Sequence, residues 1–125
     1  MAKSNLWIGV LFLAAAWATG QQRQDVNADN GTSLLRDCQS AVRALEETDV
    51  LTTAESAYCA GYVQGVTETL SFFGKTCFPR DVVGASQAAR IVVKFLSDHP
   101  ARLHEPQFRL VKEAMTEAFP CKTPK

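Results

Sequence analysis

Neither tryptophan lies beyond position 17, and only two histidines, His99 and His104, occur in the 125 residues. There is no Cys-x-x-Cys pair, so a zinc ribbon is excluded. There is no glycine-rich phosphate loop and no Gly-x-Ser-x-Gly turn, which removes the commonest nucleotide and acyl-transfer sites. Charge of one sign is also missing. Thirteen Lys and Arg face thirteen Asp and Glu, so there is no electrostatic case for nucleic acid or an anionic membrane as partner. No useful length of chain alternates with period two, and Ile91-Val-Val93 is the one β-branched run. These absences exclude more than they suggest, and the positive signals lie elsewhere.

The first is a leader. Met1-Ala-Lys3 gives a short positive start, Leu6 to Ala16 is an almost unbroken apolar run, and Ala16-Trp-Ala18 places small residues where a signal peptidase reads them. This is the anatomy of a secretory signal peptide spanning 1–18, with cleavage after Ala18 or as late as Gly20. The run falls short of the roughly 20 residues that span a bilayer, and no cysteine follows it for a lipid, so no stable membrane anchor is expected. The exported part loses both tryptophans and Lys3, and 12 basic residues then face 13 acidic ones.

All four cysteines, Cys38, Cys59, Cys77 and Cys121, lie in the exported part. An even number in an oxidising compartment reads as a disulfide framework rather than as reactive thiols.

Residues 19–31 are polar and aperiodic and form an expected flexible tail, with Asn30-Gly-Thr32 matching a glycosylation sequon. A helical domain over 32–121 follows, then a short tail over 122–125. Leu34, Leu35, Cys38, Val42 and Leu45 recur at helical spacing from Ser33 to about Glu47. Thr52-Thr-Ala-Glu55 reads as a capping box before a second, longer helix, with Cys59, Tyr62, Val63, Val66, Leu70 and Phe73 on one broad face. Gly74 is its stop. A third helix begins within Val82–Ser86, sends Ile91, Val92, Phe95 and Leu96 to the core, and ends at Asp98-His-Pro100. Pro106 fits the first position of a fourth helix, carrying Phe108, Val111, Met115, Ala118 and Phe119. The fold class is therefore all-α, a small bundle of four main helices with two disulfides. Sequence alone allows three pairings. Two helical hairpins, turning near 49 and near 101, would set Cys38 beside Cys59 and Cys77 beside Cys121, and that pairing is expected.

Chemistry-bearing constellations are scarce. With the cysteines bridged no thiolate is available. His99 is placed to cap the third helix, and His104 to lie on the surface. Glu46, Glu47, Glu55, Glu68, Glu113 and Glu117 scatter over faces read as solvated, the last two as like charges one turn apart. Gly61 and Gly65, one turn apart, read as the place where another helix backbone comes close. The most distinctive surface is Ser71 to Asp81. Phe72 and Phe73 point about 100° apart on a helix, so both can hardly face one core. Phe72, Lys75, Phe78 and Arg80 form a candidate partner-binding patch, aromatic and basic. Catalytic, cofactor and metal sites are not expected.

Cys59-Ala-Gly-Tyr-Val-Gln-Gly-Val-Thr67, Cys77-Phe-Pro79, Ile91-Val-Val-Lys-Phe-Leu-Ser-Asp-His-Pro100, and Leu110-Val with Ala118-Phe-Pro-Cys121 occur in that order. Together they resemble the Rap/Tai immunity-protein family over about residues 33–121. The resemblance implies a small periplasmic helical protein with disulfides that binds and blocks a peptidoglycan amidase delivered by type VI secretion. It implies a stoichiometric toxin inhibitor rather than an enzyme, without cofactor, acting by filling the amidase cleft; a homodimer is a further expectation. Two other roles fit such a scaffold: a periplasmic acid-stress chaperone, and a carrier of a small ligand between the helices.

Overall fold

The computed structural model describes residues 29–48, 51, 53–79 and 81–122; the leader and most of the expected tail lie outside them. The described residues form four α-helices and one short 3-10 turn: α1 Gly31–Glu47, α2 Ala54–Phe72, α3 Ala85–Asp98, the turn Pro100–Arg102, and α4 Gln107–Ala118. No strand occurs among the described residues, where the pairing of Asn30 with Pro106 is an isolated bridge.

Each helix end has a local cause. Asn30 is extended, and its Oδ1 accepts hydrogen bonds from the amides of Thr32 (3.0 Å) and Ser33 (3.1 Å), which starts α1. The box that starts α2 sits one residue later than the Thr52–Glu55 reading. Thr53 Oγ1 accepts from the Ser56 amide and Ser56 Oγ from the Thr53 amide, both at 3.1 Å. A serine hydroxyl at the third helical position thus takes the acceptor role that a glutamate usually fills. The far end of α2 is closed by Gly74 at φ 64°. The Lys75 amide donates to the Leu70 carbonyl (2.8 Å) and the Gly74 amide to that of Ser71 (3.0 Å), the paired bonds of a Schellman stop that needs a left-handed residue. α3 ends where His99 Nδ1 lies 2.7 Å from the Phe95 carbonyl, as its capping position suggested. Pro106 stands just before α4 rather than as its first residue.

α1 packs along both α2 and α3, and α3 along α4. Small residues permit this: Ala41 and Ala44 on α1, Ala88 and Ala89 on α3, and Ala114 on α4 are buried at the seams. Leu34, Val63, Val92, Leu96, Leu110, Val111 and Met115 fill the space between. The core stripe differs from the sequence reading at four positions, one of them Ala118, which is exposed at the end of α4. Leu45 is only half-buried, because Ala41 and Ala44 turn inward instead. Phe73 and Phe108 are 66% and 50% exposed, Phe73 because the helix ends before it and Phe108 because it sits on the outer side of the first turn of α4.

The disulfides pair Cys38 with Cys59 and Cys77 with Cys121. The first joins α1 to α2 inside the core. The second ties the segment after α2 to the chain beyond α4.

Candidate functional site

The Schellman stop at Gly74 leaves the last aromatic residues of α2 pointing outward. Phe72 is 81% exposed, and its ring meets Phe73 edge-on with centroids 5.2 Å apart. Lys75 is exposed just beyond them. Phe78 turns the other way. It is half-buried against the core and packs edge-on to Phe119, with centroids 5.1 Å apart. The candidate patch is thus divided: Phe72 and Lys75 stand at the surface, whereas Phe78 anchors the loop. Arg80 lies outside the described residues. Val82, 80% exposed next to buried Val83, is a further apolar surface residue that the sequence reading missed. Two adjacent valines before a glycine carry no sign of which one turns in.

The outer face of α2 extends this surface. Tyr58, Gly61, Gly65, Thr69 and Phe72 run along it, all exposed and uncharged, with exposed Glu68 among them and bonded by Gln64 at 3.0 Å. Among the described residues, a Cβ added at Gly61 or Gly65 would meet nothing within 4 Å. The expected close approach of another helix at these glycines therefore does not occur; they face outward, because α1 and α3 pack on the side carrying Cys59, Val63, Val66 and Leu70. The outer faces of the other helices carry more charge: Arg36, Arg43 and Glu46 on α1, Arg90 and Lys94 on α3, Arg109 and Lys112 on α4. An exposed helix face with few charges that ends in two bare phenylalanines is the kind of surface that marks protein contact. Beside it, a cavity of about 130 Å³ opens between α2 and the start of α3, lined by Gln64, Thr67, Glu68, Phe78, Val83 and Ala88 among others.

A polar cluster elsewhere, around Arg102, is engaged structurally. Arg102 bonds Glu105 through Nε and Nη2 (2.7 and 2.8 Å) and Glu113 through Nη1 (2.6 Å). Its guanidinium lies over the Phe95 ring, 5.8 Å from the centroid. Glu113 therefore does not sit on a merely solvated face. Hydrogen bonding to Arg102 holds the carboxyls of Glu105 and Glu113 below their ordinary range, which suits an anchor rather than a proton acceptor at neutral pH. Glu46 likewise pairs with Arg90 at 2.9 Å. Among the described residues no group of three or more His, Cys, Asp or Glu could hold a metal ion, and no helix is long and apolar enough to cross a membrane.

A family model described as Rap1a immunity proteins matches residues 30–121, from the cap of α1 to the last cysteine. The chain belongs to that family. Comparison with curated proteins and with solved structures finds no match. Membership among the Rap1a immunity proteins carries an immunity role, exercised by binding a toxin. In this Rap1a-family chain Phe72 and Phe73 stand exposed at the end of α2.

Proposed function

We propose that this protein is an exported periplasmic immunity protein that binds a peptidoglycan amidase toxin and blocks its cleft sterically. Residues 1–18 serve as its signal peptide, and the domain acts without a cofactor. The docking surface is the outer face of α2 from Tyr58 to Phe73, continued by Lys75. The observation that carries this reading is the exposed pair Phe72 and Phe73 at the end of α2. Large aromatic groups with little conformational freedom are the side chains that dominate protein interfaces, and leaving two of them bare costs a free protein solubility with no structural return.

The test uses the exported chain, residues 19–125, as bait in a periplasmic extract. Any captured hydrolase is then assayed for release of peptide stems from peptidoglycan at increasing molar ratios of the domain. Complete inhibition near equimolar ratio, lost in Phe72→Ala, is expected. Protection of many unrelated clients at acid pH, with no stoichiometric partner, would instead establish the chaperone role. Sedimentation of the isolated domain shows whether a second copy competes for the same face.

A further inference from the structure

We propose that the Cys77–Cys121 disulfide is a thiol-exchange site, opened by an external dithiol while Cys38–Cys59 stays closed. The two bridges have opposite surroundings. Cys38 and Cys59 are both 0% exposed and belong to the apolar core, so an attacking thiolate would have to shed its water to reach either sulfur. Cys77 is exposed and Cys121 half-buried, with exposed Pro120 and Lys122 on either side of the latter. Exchange requires access to a sulfur as well as a thiolate, and of the two bridges this is the one that includes an exposed residue.

The reaction balances as follows. One thiolate of the dithiol attacks Sγ of Cys77, and Cys121 leaves as a thiolate. The second sulfur of the reagent attacks the mixed disulfide and displaces Cys77. The reagent departs as a disulfide, two electrons pass to the protein, and the two protons of the dithiol end on Cys77 and Cys121.

Opening this bridge has a defined consequence. The segment Gly74–Pro79 is tied to the end of α4 by the bridge and by a few weaker contacts that converge on the same place. Thr76 Oγ1 lies 3.1 Å from the Met115 carbonyl and 3.0 Å from that of Phe119, and the Cys77 amide donates to Phe119 at 3.0 Å. Phe78 packs on Phe119. Without the covalent tie, these contacts are what still join Thr76–Phe78 to the end of α4, while α1 and α2 remain joined by the core bridge. On the docking reading given above, exchange at Cys77 therefore loosens one end of the toxin-binding surface and leaves the scaffold intact.

The test treats the exported chain with graded dithiothreitol in native buffer, quenches with N-ethylmaleimide and maps the adducts by peptide mass spectrometry. Cys77 and Cys121 should both be modified at a dose about tenfold or more below that needed for Cys38 and Cys59. Hydrogen exchange on the same samples should show amides 76–78 losing protection while those of α1 and α2 keep theirs. Modification of all four cysteines together, or of Cys38 and Cys59 first, overturns the proposal. So does unchanged protection at 76–78 after selective reduction. The variant Cys77→Ser with Cys121→Ser should reproduce the half-reduced exchange pattern; should it fail to fold, the half-reduced natural chain supplies the readout. None of these measurements needs a toxin, so failure to capture an amidase would sink the docking reading alone.

Discussion

Phe78 meets Phe119 edge to face, the ring planes at 88° and the Cys77–Cys121 bridge one residue before Phe78 and two after Phe119. The contact separates two aromatic roles that lie six residues apart in the chain. Phe72 faces outward, and Phe78 closes the end of the bundle.

The separation gives opposite outcomes on substitution. Phe72→Ala and Phe73→Ala should each shift unfolding free energy by no more than about 0.5 kcal/mol, as surface changes do. Phe78→Ala should cost about 1–3 kcal/mol, because a half-buried ring and its partner contact are lost. Against a cognate toxin the order should reverse, with Phe72→Ala weakening binding by about tenfold or more. Urea unfolding and titration calorimetry measure the two sides; equal destabilisation by Phe72→Ala and Phe78→Ala would place Phe72 in the structural group.

Gly31 is the glycine whose lack of a side chain matters for packing. A Cβ there would lie 2.5 Å from Leu110 Cδ1 and 3.0 Å from the Leu103 backbone. The Gly31 amide donates to the Glu105 carbonyl and that of Thr32 to Leu103, which draws the start of α1 onto the turn before α4. Gly31→Ala should destabilise by about 1–3 kcal/mol through overpacking, despite alanine's better helix propensity. Thermal unfolding followed by circular dichroism decides it, and an unchanged or raised Tm would refute the close approach.

The arginine cluster predicts a pH dependence. Glu105 and Glu113 have carboxyls held below their ordinary range chiefly by hydrogen bonds to Arg102. Depressed folded-state values mean that the stabilisation is complete above the unfolded carboxylate value of about 4.3 and is lost as pH falls through the lowered values. Melting temperature should therefore fall with acid below that point, and Arg102→Met should flatten this acid limb while lowering Tm at pH 7. Curves for the two proteins that stay parallel through the acid range would remove the cluster from the account.

Buried Gln107 links three elements. The Tyr58 hydroxyl donates to its Oε1 at 2.7 Å, and its Nε2 donates to Ser33 Oγ at 3.1 Å. Tyr58→Phe keeps the ring and its stacking on Tyr62 but removes one donor from a buried amide, and should cost about 1 kcal/mol. Denaturant unfolding of the single variant is the check, with no measurable change as the contrary result.

Periodicity made the four helices legible because each buries a stripe of large apolar residues. It was blind where burial is carried by small ones. Ala41 and Ala44, rather than Leu45, face the core of α1, since helices that cross closely need little volume at the seam. The run Thr52-Thr-Ala-Glu-Ser56 holds two capping boxes one residue apart, and side-chain chemistry alone does not choose between them. Gly61 and Gly65 match a packing motif yet face outward, because which side of an almost uncharged helix turns inward depends on its neighbours. The pairing of Glu113 with Arg102 spans two elements, so no local spacing encodes it. For the candidate site, the aromatic cluster was legible as a cluster, but its division between surface and core was settled by where Gly74 stops α2.

The two disulfides join first cysteine to second and third to fourth, so the covalent loops 38–59 and 77–121 follow one another without nesting or overlap. A chain that emerges amino end first presents Cys38 and Cys59 before Cys77 has appeared. The first bridge thus has a single partner available, and the second pair meets only after the end of α4 is out. Under the export proposed above, order of arrival favours the native pairing, which needs no reshuffling of bonds.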